Sequence, residues 1–214
     1  MILMISISNE ANQLILGGLL GDASINRIHA KPRIHFCHSL QQEEYIRWKY
    51  EILKQEQLTD SEPKVVISKQ YNKKYPQLRF QTNASANLEP YERLFYPNGK
   101  KRLRRKILNM LDPLGLAVWY MDDGNLIIHK YNKQDGTRGI KSRELVINTQ
   151  CFSYEEHKII QRYFKVQWDI DVKIYKNKSN YRIAMNATNA KRFIAIIEPH
   201  ILPSMKYKID LKYE

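Results

Sequence analysis

Cysteine is scarce in this chain: two in 214 residues, Cys37 and Cys151, far apart in sequence. That excludes a disulfide-built scaffold and fits a reducing compartment. Long apolar runs are missing as well. The stretch 14–20 falls far short of the roughly 20 residues a membrane span needs. The apolar start at 1–7 has neither a basic lead nor a small-residue cleavage site. The expectation is a soluble protein that is neither secreted nor in a membrane. Acidic residues are in deficit, with 22 Asp and Glu against 35 Lys and Arg, a net charge of +13. A compact protein so unbalanced usually meets a polyanion, and nucleic acid is the commonest one; simple solubility is the plainer explanation of the same number. The hydrophobic share of 43% is enough for a core and excludes wholesale disorder. The stretch His35-Phe36-Cys37-His38 invites a zinc reading, but no second Cys/His pair stands at ligand spacing, so it reads as a strand.

Hydrophobic periodicity predicts helices at 9–21, 41–57, 86–95, 113–122, 154–166 and 187–197. Asn9, Ser85, Asp112 and Ser153 stand at their starts as residue types that cap free first-turn N–H groups. Short alternating runs at 24–30, 33–39, 64–71, 76–82, 125–131, 142–150, 172–176 and 181–186 read as strands, joined by polar turns at 71–74, 132–139 and 177–180. The order of elements then repeats itself, an internal duplication with its join in the basic segment 98–111.

Two apolar helices carry unusual ends. The first reads Ile15-Leu16-Gly17-Gly18-Leu19-Leu20-Gly21-Asp22-Ala23. Gly17 and Gly21 share one face. Each mid-helix glycine costs roughly 1 kcal/mol relative to alanine, which close approach of a second helix would justify. The second reads Leu116-Ala117-Val118-Trp119-Tyr120-Met121-Asp122-Asp123-Gly124. A carboxylate at a helix C-terminus opposes the helix dipole, and here it happens twice, at matched places. Two such acids at the bottom of one packing seam repel unless a proton or cation intervenes. A hard divalent cation with oxygen ligands is the natural solution, and magnesium suits carboxylate-plus-phosphate chemistry.

These two segments resemble the paired signature helices of the LAGLIDADG homing endonucleases, and the resemblance covers nearly the whole chain. The likeness is to single-chain members encoded within mobile introns, and it extends to Asn148-Thr149-Gln150 and Leu202-Pro203-Ser204-Met205-Lys206-Tyr207-Lys208. It implies that Asp22 and Asp123 are catalytic, metal-binding acids. It places an assisting basic residue at Lys101, with Lys100 as the neighbouring alternative, and another at Lys208. Residues 100–106 hold six basic side chains, so a backbone-binding stretch with no catalytic member is the rival reading there. Val118 and Asp122 stand where the family often has small residues, so this seam must differ in packing; Asp122 is either a neighbour of the metal or a charge at the mouth of the site.

The implied fold is α/β (α+β), a pseudo-symmetric duplication of αββαββα repeats. Its halves are 1–111 and 112–214, their signature helices meet at the interface, and two antiparallel sheets form a DNA-binding saddle. The alternating strands supply the expected DNA contacts. Arg33 and His35 oppose Ile34 and Phe36. Gln77, Arg79 and Gln81 oppose Leu78 and Phe80, and Lys173, Tyr175 and Asn177 oppose Val172 and Ile174. Lys100, Asn148 and Gln150 complete the expected DNA-binding set. Half-buried strands show a polar face in any protein, which is the plainer account of the pattern.

The resemblance implies a monomer that hydrolyses both strands of a long asymmetric duplex with magnesium, manganese being able to substitute, and so promotes intron mobility. The rival is an intron RNA maturase, using the same basic surface without cleavage. Intein splicing is not expected, since the chain has no nucleophile at its start and no terminal Asn. Its richness in Lys, Asn, Ile and Tyr points to an A/T-rich genome, either an organelle (mitochondrion or chloroplast) or a bacterial cytoplasm.

Overall fold

The computed structural model describes residues 7–210 apart from 29, 71–72 and 134–135. The apolar start, the turn at 71–72 and part of the 132–139 turn therefore lie outside the described residues. The chain begins with helix α1 (Asn9–Leu20), then strands β1 (Ser24–Ile28) and β2 (Lys31–Ser39), helix α2 (Glu43–Gln55), and strands β3 (Lys64–Gln70) and β4 (Lys73–Gln81). Helices α3 (Glu89–Phe95) and α4 (Arg105–Leu108) lead to α5 (Pro113–Asp123). The pattern then recurs as β5 (Gly124–Asn132), β6 (Arg138–Ile147), α6 (Tyr154–Trp168), β7 (Lys173–Asn177), β8 (Asn180–Asn186) and α7 (Ala187–Ile197). Both sheets are four-stranded and antiparallel, ordered β1-β2-β4-β3 and β5-β6-β8-β7. The same order in both halves is the duplication made visible.

The predicted elements are present with shifted ends, and most shifts have a local cause. α1 is capped by Ser8, whose hydroxyl accepts from the Ala11 N–H at 3.2 Å, not by Asn9. Asn9 instead donates to Asp112 across the interface at 2.7 Å. Asp112 caps α5 through the Gly115 N–H, and Ser153 forms a reciprocal capping box with Glu156 on α6. The helix expected at 86–95 is broken into a 3-10 turn, Ala86–Leu88, and α3. Pro90 lacks the N–H that would continue the first turn, and it sits instead in the opening turn of α3. β4 starts earlier than expected and runs through Pro76. There it pairs only with β3, since its pairing to β2 ends at Ser39 opposite Gln77; a proline interrupts a ladder on one side only. β6 stops at Ile147 because Asn148 turns to bond the Asp123 carbonyl.

From Gln13 to Leu20 in α1 and from Gly115 to Met121 in α5 every residue is buried, and all but Gln13 are apolar. Leu14, Ile15, Leu16 and Leu19 of one, and Leu116, Val118, Trp119 and Met121 of the other, have no exposed surface. They pack on each other at the centre, with α2 laid on the inner face of β2 and β4, α6 on β7 and β8, and α7 on β6 and β8. The inner faces carry Ile34, Phe36, Leu78 and Phe80 in the first sheet and Leu145, Ile147, Ile183 and Met185 in the second. No helix among the described residues is long and apolar enough to cross a membrane.

Candidate active site

The seam between α1 and α5 explains its glycines. A Cβ on Gly17 would lie 2.4 Å from the Gly115 carbonyl oxygen and 2.8 Å from the Val118 Cβ. A Cβ on Gly21 would lie 2.5 Å from the Asp122 Cβ. A Cβ on Gly115 would meet the Gln13 Oε1 at 2.3 Å. At each level one helix offers glycine and the other a larger side chain. The backbones thus approach closely even though the second helix carries Val118 and Asp122 in the seam.

This packing delivers both signature acids to one place. Asp22 follows the C-cap Gly21, and Asp123 closes α5. The Asp22 side chain remains 43% exposed, while its back lies against protein. Loss of water, then the Asp122 charge, push its carboxyl up to about 6 against the pull of Lys49, Lys208 and Lys101. Desolvation and the charges of Asp22 and Asp122 push Asp123 up to about 8. Among the described residues neither acid is ion-paired to a lysine or arginine. Asp22 and Asp123 supply hard oxygen donors, and a divalent cation would offset the burial and neighbouring charge that raise them; among the described residues, the group of three whose ligand atoms lie within 4.8 Å of one another is Asp22, His38 and Asp122.

Lys101 and Lys208 lie beside the acids in matched roles. The Lys101 ammonium donates to the carbonyls of Gly21, at 3.0 Å, and Ala23. That of Lys208 donates to the carbonyls of Met121, at 2.6 Å, and Asp122. Each cation therefore caps the negative end of the segment bearing an acid. Burial holds both ammoniums below the ordinary lysine range, partly offset by the surrounding acids. Lys100 is exposed at the surface, and it is Lys101 that turns inward.

Asp122 is not at the mouth of the site, as one of the two sequence readings had it. Its side chain has no exposed surface. One carboxylate oxygen accepts from the Lys49 ammonium at 2.6 Å and the Tyr45 hydroxyl at 2.7 Å, and the other from the Asp22 N–H at 3.2 Å. Burial alone would raise this acid; Lys49 and His38, with the hydrogen bonds from Lys49 and Tyr45, hold it below the usual carboxylate range. Its oxygens are occupied by protein donors, so it acts as an internal counter-ion. Behind Asp22 stands His38, also buried, with its Nδ1 at 3.6 Å from the acid. Desolvation and Lys49 push the ring down to about 3, so it is neutral. Tyr45 and Lys49 escaped the sequence reading as site residues, and His38 entered it only in a zinc reading that was set aside for a plain strand. The signal was present: strand alternation puts His38 on the side of Ile34 and Phe36, and Tyr45 and Lys49 are one helical turn apart.

The other sequence-predicted residues divide. Arg33 and His35 project from the outward face of β2, and Gln77, Arg79 and Gln81 from that of β4, with Gln81 opposite His35 and Gln77 opposite Ser39. His35 is bonded to Asn26 at 2.9 Å. The stretch His35-Phe36-Cys37-His38 alternates faces along β2, so it does not present its donors together. Lys173, Tyr175 and Asn177 lie on the outward face of β7, with Tyr175 opposite Arg182. Asn148 donates through both its backbone and its side-chain amide to the Asp123 carbonyl, and Gln150 bonds Asn148. These two brace the second acid.

Comparison with known proteins agrees with this fold. The model of the LAGLIDADG DNA endonuclease family matches residues 12–193. The chain is 28% identical over 221 residues to the DNA endonuclease I-ChuI of Chlamydomonas applanata, covering 96% of each. It is 26% identical over 208 residues to protein RecA of Mycolicibacterium chitae, covering 95% of this chain and 47% of the relative, so it spans about half the length of that match. Among solved structures it resembles the homing endonuclease I-WcaI bound to its DNA recognition sequence, with a TM-score of 0.81 and 25% identity over 95% of this chain and 87% of that one. The twin acid-tipped helices, the repeated sheet order and the family match have one meaning: the chain belongs to the LAGLIDADG DNA endonuclease family.

Proposed function

We propose that this protein is a site-specific homing endonuclease. It makes a double-strand break in a long asymmetric DNA target by magnesium-dependent phosphodiester hydrolysis and so promotes the mobility of an intron. The observation that carries the reading is the meeting of Asp22 and Asp123 at the ends of two helices, each acid driven up by desolvation and by its neighbours' charge. Asp22 and Asp123 would hold the cation, which when bound supplies an activated water and charge neutralisation at the phosphate. One acid-centred site serves each strand.

The chain's own residues do the rest. Lys101 and Lys208, anchored on the helix-end carbonyls, set fixed positive charge against the phosphate as negative charge develops there and on the leaving oxygen. The outward faces of the two sheets form the saddle on the duplex. Arg33, His35, Gln77, Arg79 and Gln81 on one side, and Lys173, Tyr175 and Asn177 on the other, offer the donor types that contact base edges and phosphates. Lys100, exposed in the basic segment 98–111, meets the backbone, and the excess of +13 supplies the attraction. Both halves, 1–111 and 112–214, lie in one chain and differ, so a monomer reads a non-palindromic site. The reading places the protein with its host intron's DNA, in an organelle or a bacterial cytoplasm.

The test is incubation of wild type, Asp22→Asn and Asp123→Asn with a DNA library of candidate insertion sites and magnesium, followed by sequencing of ends. Wild type yields one dominant double-strand break, lost in both variants and without magnesium. No magnesium-dependent break at any site, with host-intron RNA binding intact, would overturn this reading in favour of a maturase.

A further inference from the structure

The group behind Asp22 is asymmetric between the halves, and it ends in an unsatisfied atom. The Lys49 ammonium, with no exposed surface, donates to the Asp122 Oδ1 at 2.6 Å and lies 3.0 Å from the His38 Nε2. An ammonium can only donate. The His38 Nε2 must therefore accept, and a neutral ring then carries its proton on Nδ1. That Nδ1 is buried and lacks a hydrogen-bond partner among the described residues. A buried donor left unmatched is rare in native proteins and calls for an explanation. The charged acceptor nearest it is the Asp22 Oδ2, at 3.6 Å, just beyond hydrogen-bonding reach, while the Gln42 side chain also lies close enough to the ring to favour its protonated form. A small swing of the Asp22 carboxylate closes that gap.

Among the described residues nothing matches it on the other side. The sequence Glu43-Glu44-Tyr45, with Lys49 four residues on, corresponds to Glu155-Glu156-His157, with Gln161 four residues on. His157 spends both ring nitrogens locally, on the Thr149 hydroxyl at 2.8 Å and the Ser153 carbonyl at 2.7 Å. Gln161 donates to the Val172 carbonyl. Asp123 is braced through its backbone by Asn148.

We propose that His38 is a positioning residue for Asp22 alone: its Nδ1–H, aimed by the buried Lys49–Asp122 pair, fixes the Asp22 carboxylate in its working orientation, so that the two strand-cutting centres differ in what they depend on. The inference rests on the endonuclease reading above. The strand whose hydrolysis relies on Asp22 is sensitive to His38, and the other is not.

The experiment uses the full chain and the duplex recovered from the library, with each strand labelled in its own colour, in single-turnover cleavage. His38→Ala slows one strand by about 10- to 100-fold, the usual range for a group that orients a metal ligand, and leaves the other within about threefold. His38→Asn, whose Nδ2 overlays the ring Nδ1, restores the lagging strand. Both strands are cut by the same molecules, so a fraction of unfolded protein lowers both rates together and leaves their ratio unchanged. Equal slowing of the two strands, or an unchanged ratio, overturns the proposal. A second readout needs no cleavage: Mn2+ titration of the protein without DNA, followed by the shift in melting temperature. His38→Ala weakens Mn2+ binding by a similar factor and His38→Asn recovers it; equal binding by all three proteins overturns the proposal. If wild type cuts neither strand, the endonuclease reading fails first, and the Mn2+ titration alone decides the role of His38.

Discussion

Gly21 and Asp122 occupy matched positions of the two signature helices and fill each other's space, a Cβ on the glycine being 2.5 Å from the Asp122 Cβ. Their pairing joins the helix seam to the buried charge cluster, and the first test of the structure acts on it. Gly21→Ala must displace Asp122, which Lys49 and Tyr45 hold in place. Gly17→Ala meets the Gly115 carbonyl. Each should lower stability by about 1–3 kcal/mol, the range for overpacking, seen as a shift in urea midpoint at constant slope. A neutral Gly17→Ala would mean that the helices are farther apart than described.

The Lys49–Asp122 ion pair should behave as a buried pair. Lys49→Met leaves Asp122 without its counter-ion and should cost about 3–5 kcal/mol. Combining it with Asp122→Asn should recover part of that loss, a coupling read by a double-mutant cycle. Additive losses would show that the two side chains do not interact.

Protonation of the two site acids sets a stability trend in metal-free protein. Both carboxyls are raised when folded, Asp22 to about 6 and Asp123 to about 8, from about 3.9 unfolded. Between those values the folded state binds more protons, so their contribution is full at low pH and lost as pH rises through the folded values. His38, pushed down to about 3 from an ordinary 6.5, is neutral when folded but loses its proton in the unfolded chain only as pH rises through 6.5, so its opposing slope fades by about pH 7.5. The melting temperature in chelator should therefore fall from there towards pH 8, mainly through Asp123. Magnesium should raise it most at the alkaline end, and Asp123→Asn should flatten the trend. A flat profile in wild type would show that the acids are not crowded.

Lysine replacement separates the inward-turned residue from its neighbour. Lys101→Met and Lys208→Met should each reduce the cleavage rate by about 10²–10³, as for loss of one preorganised charge-stabilising group, with DNA affinity little changed. Lys100→Ala, at an exposed position, should instead weaken binding and leave the bound-state rate alone. Single-turnover rates at saturating protein, beside equilibrium binding, distinguish the two patterns. Equal effects at Lys100 and Lys101 would make the basic segment a plain backbone contact.

Much of this was legible in the sequence because the informative signals are local. Strand alternation gave the outward residues from Arg33 to Asn177, and the recurrence of an acid after an apolar helix gave Asp22 and Asp123. Element ends were less legible where a tertiary bond decides them, as when Asn148 turns to the Asp123 carbonyl or Asn9 reaches Asp112. The charge cluster was hidden for the same reason. His38, Lys49 and Asp122 come from a strand and two helices that only folding brings together. The dipole argument also changed: the lysine ammoniums already answer the helix-end carbonyls, so the proposed cation rests on the burial and neighbouring charge that raise the acids more than on their position on a helix.

Asp122 belongs to the second half, yet the side chains that neutralise it, Lys49 and Tyr45, belong to the first. Two copies of the first half would confront Gly21 with Gly21 and bury two ammoniums with no counter-charge. Two copies of the second would bring two Asp122 carboxylates into the same space. Whatever symmetric ancestor the duplication began from, the present halves have become lock and key to each other. Expressing either half alone as a homodimer should therefore give a less stable assembly than the fused chain.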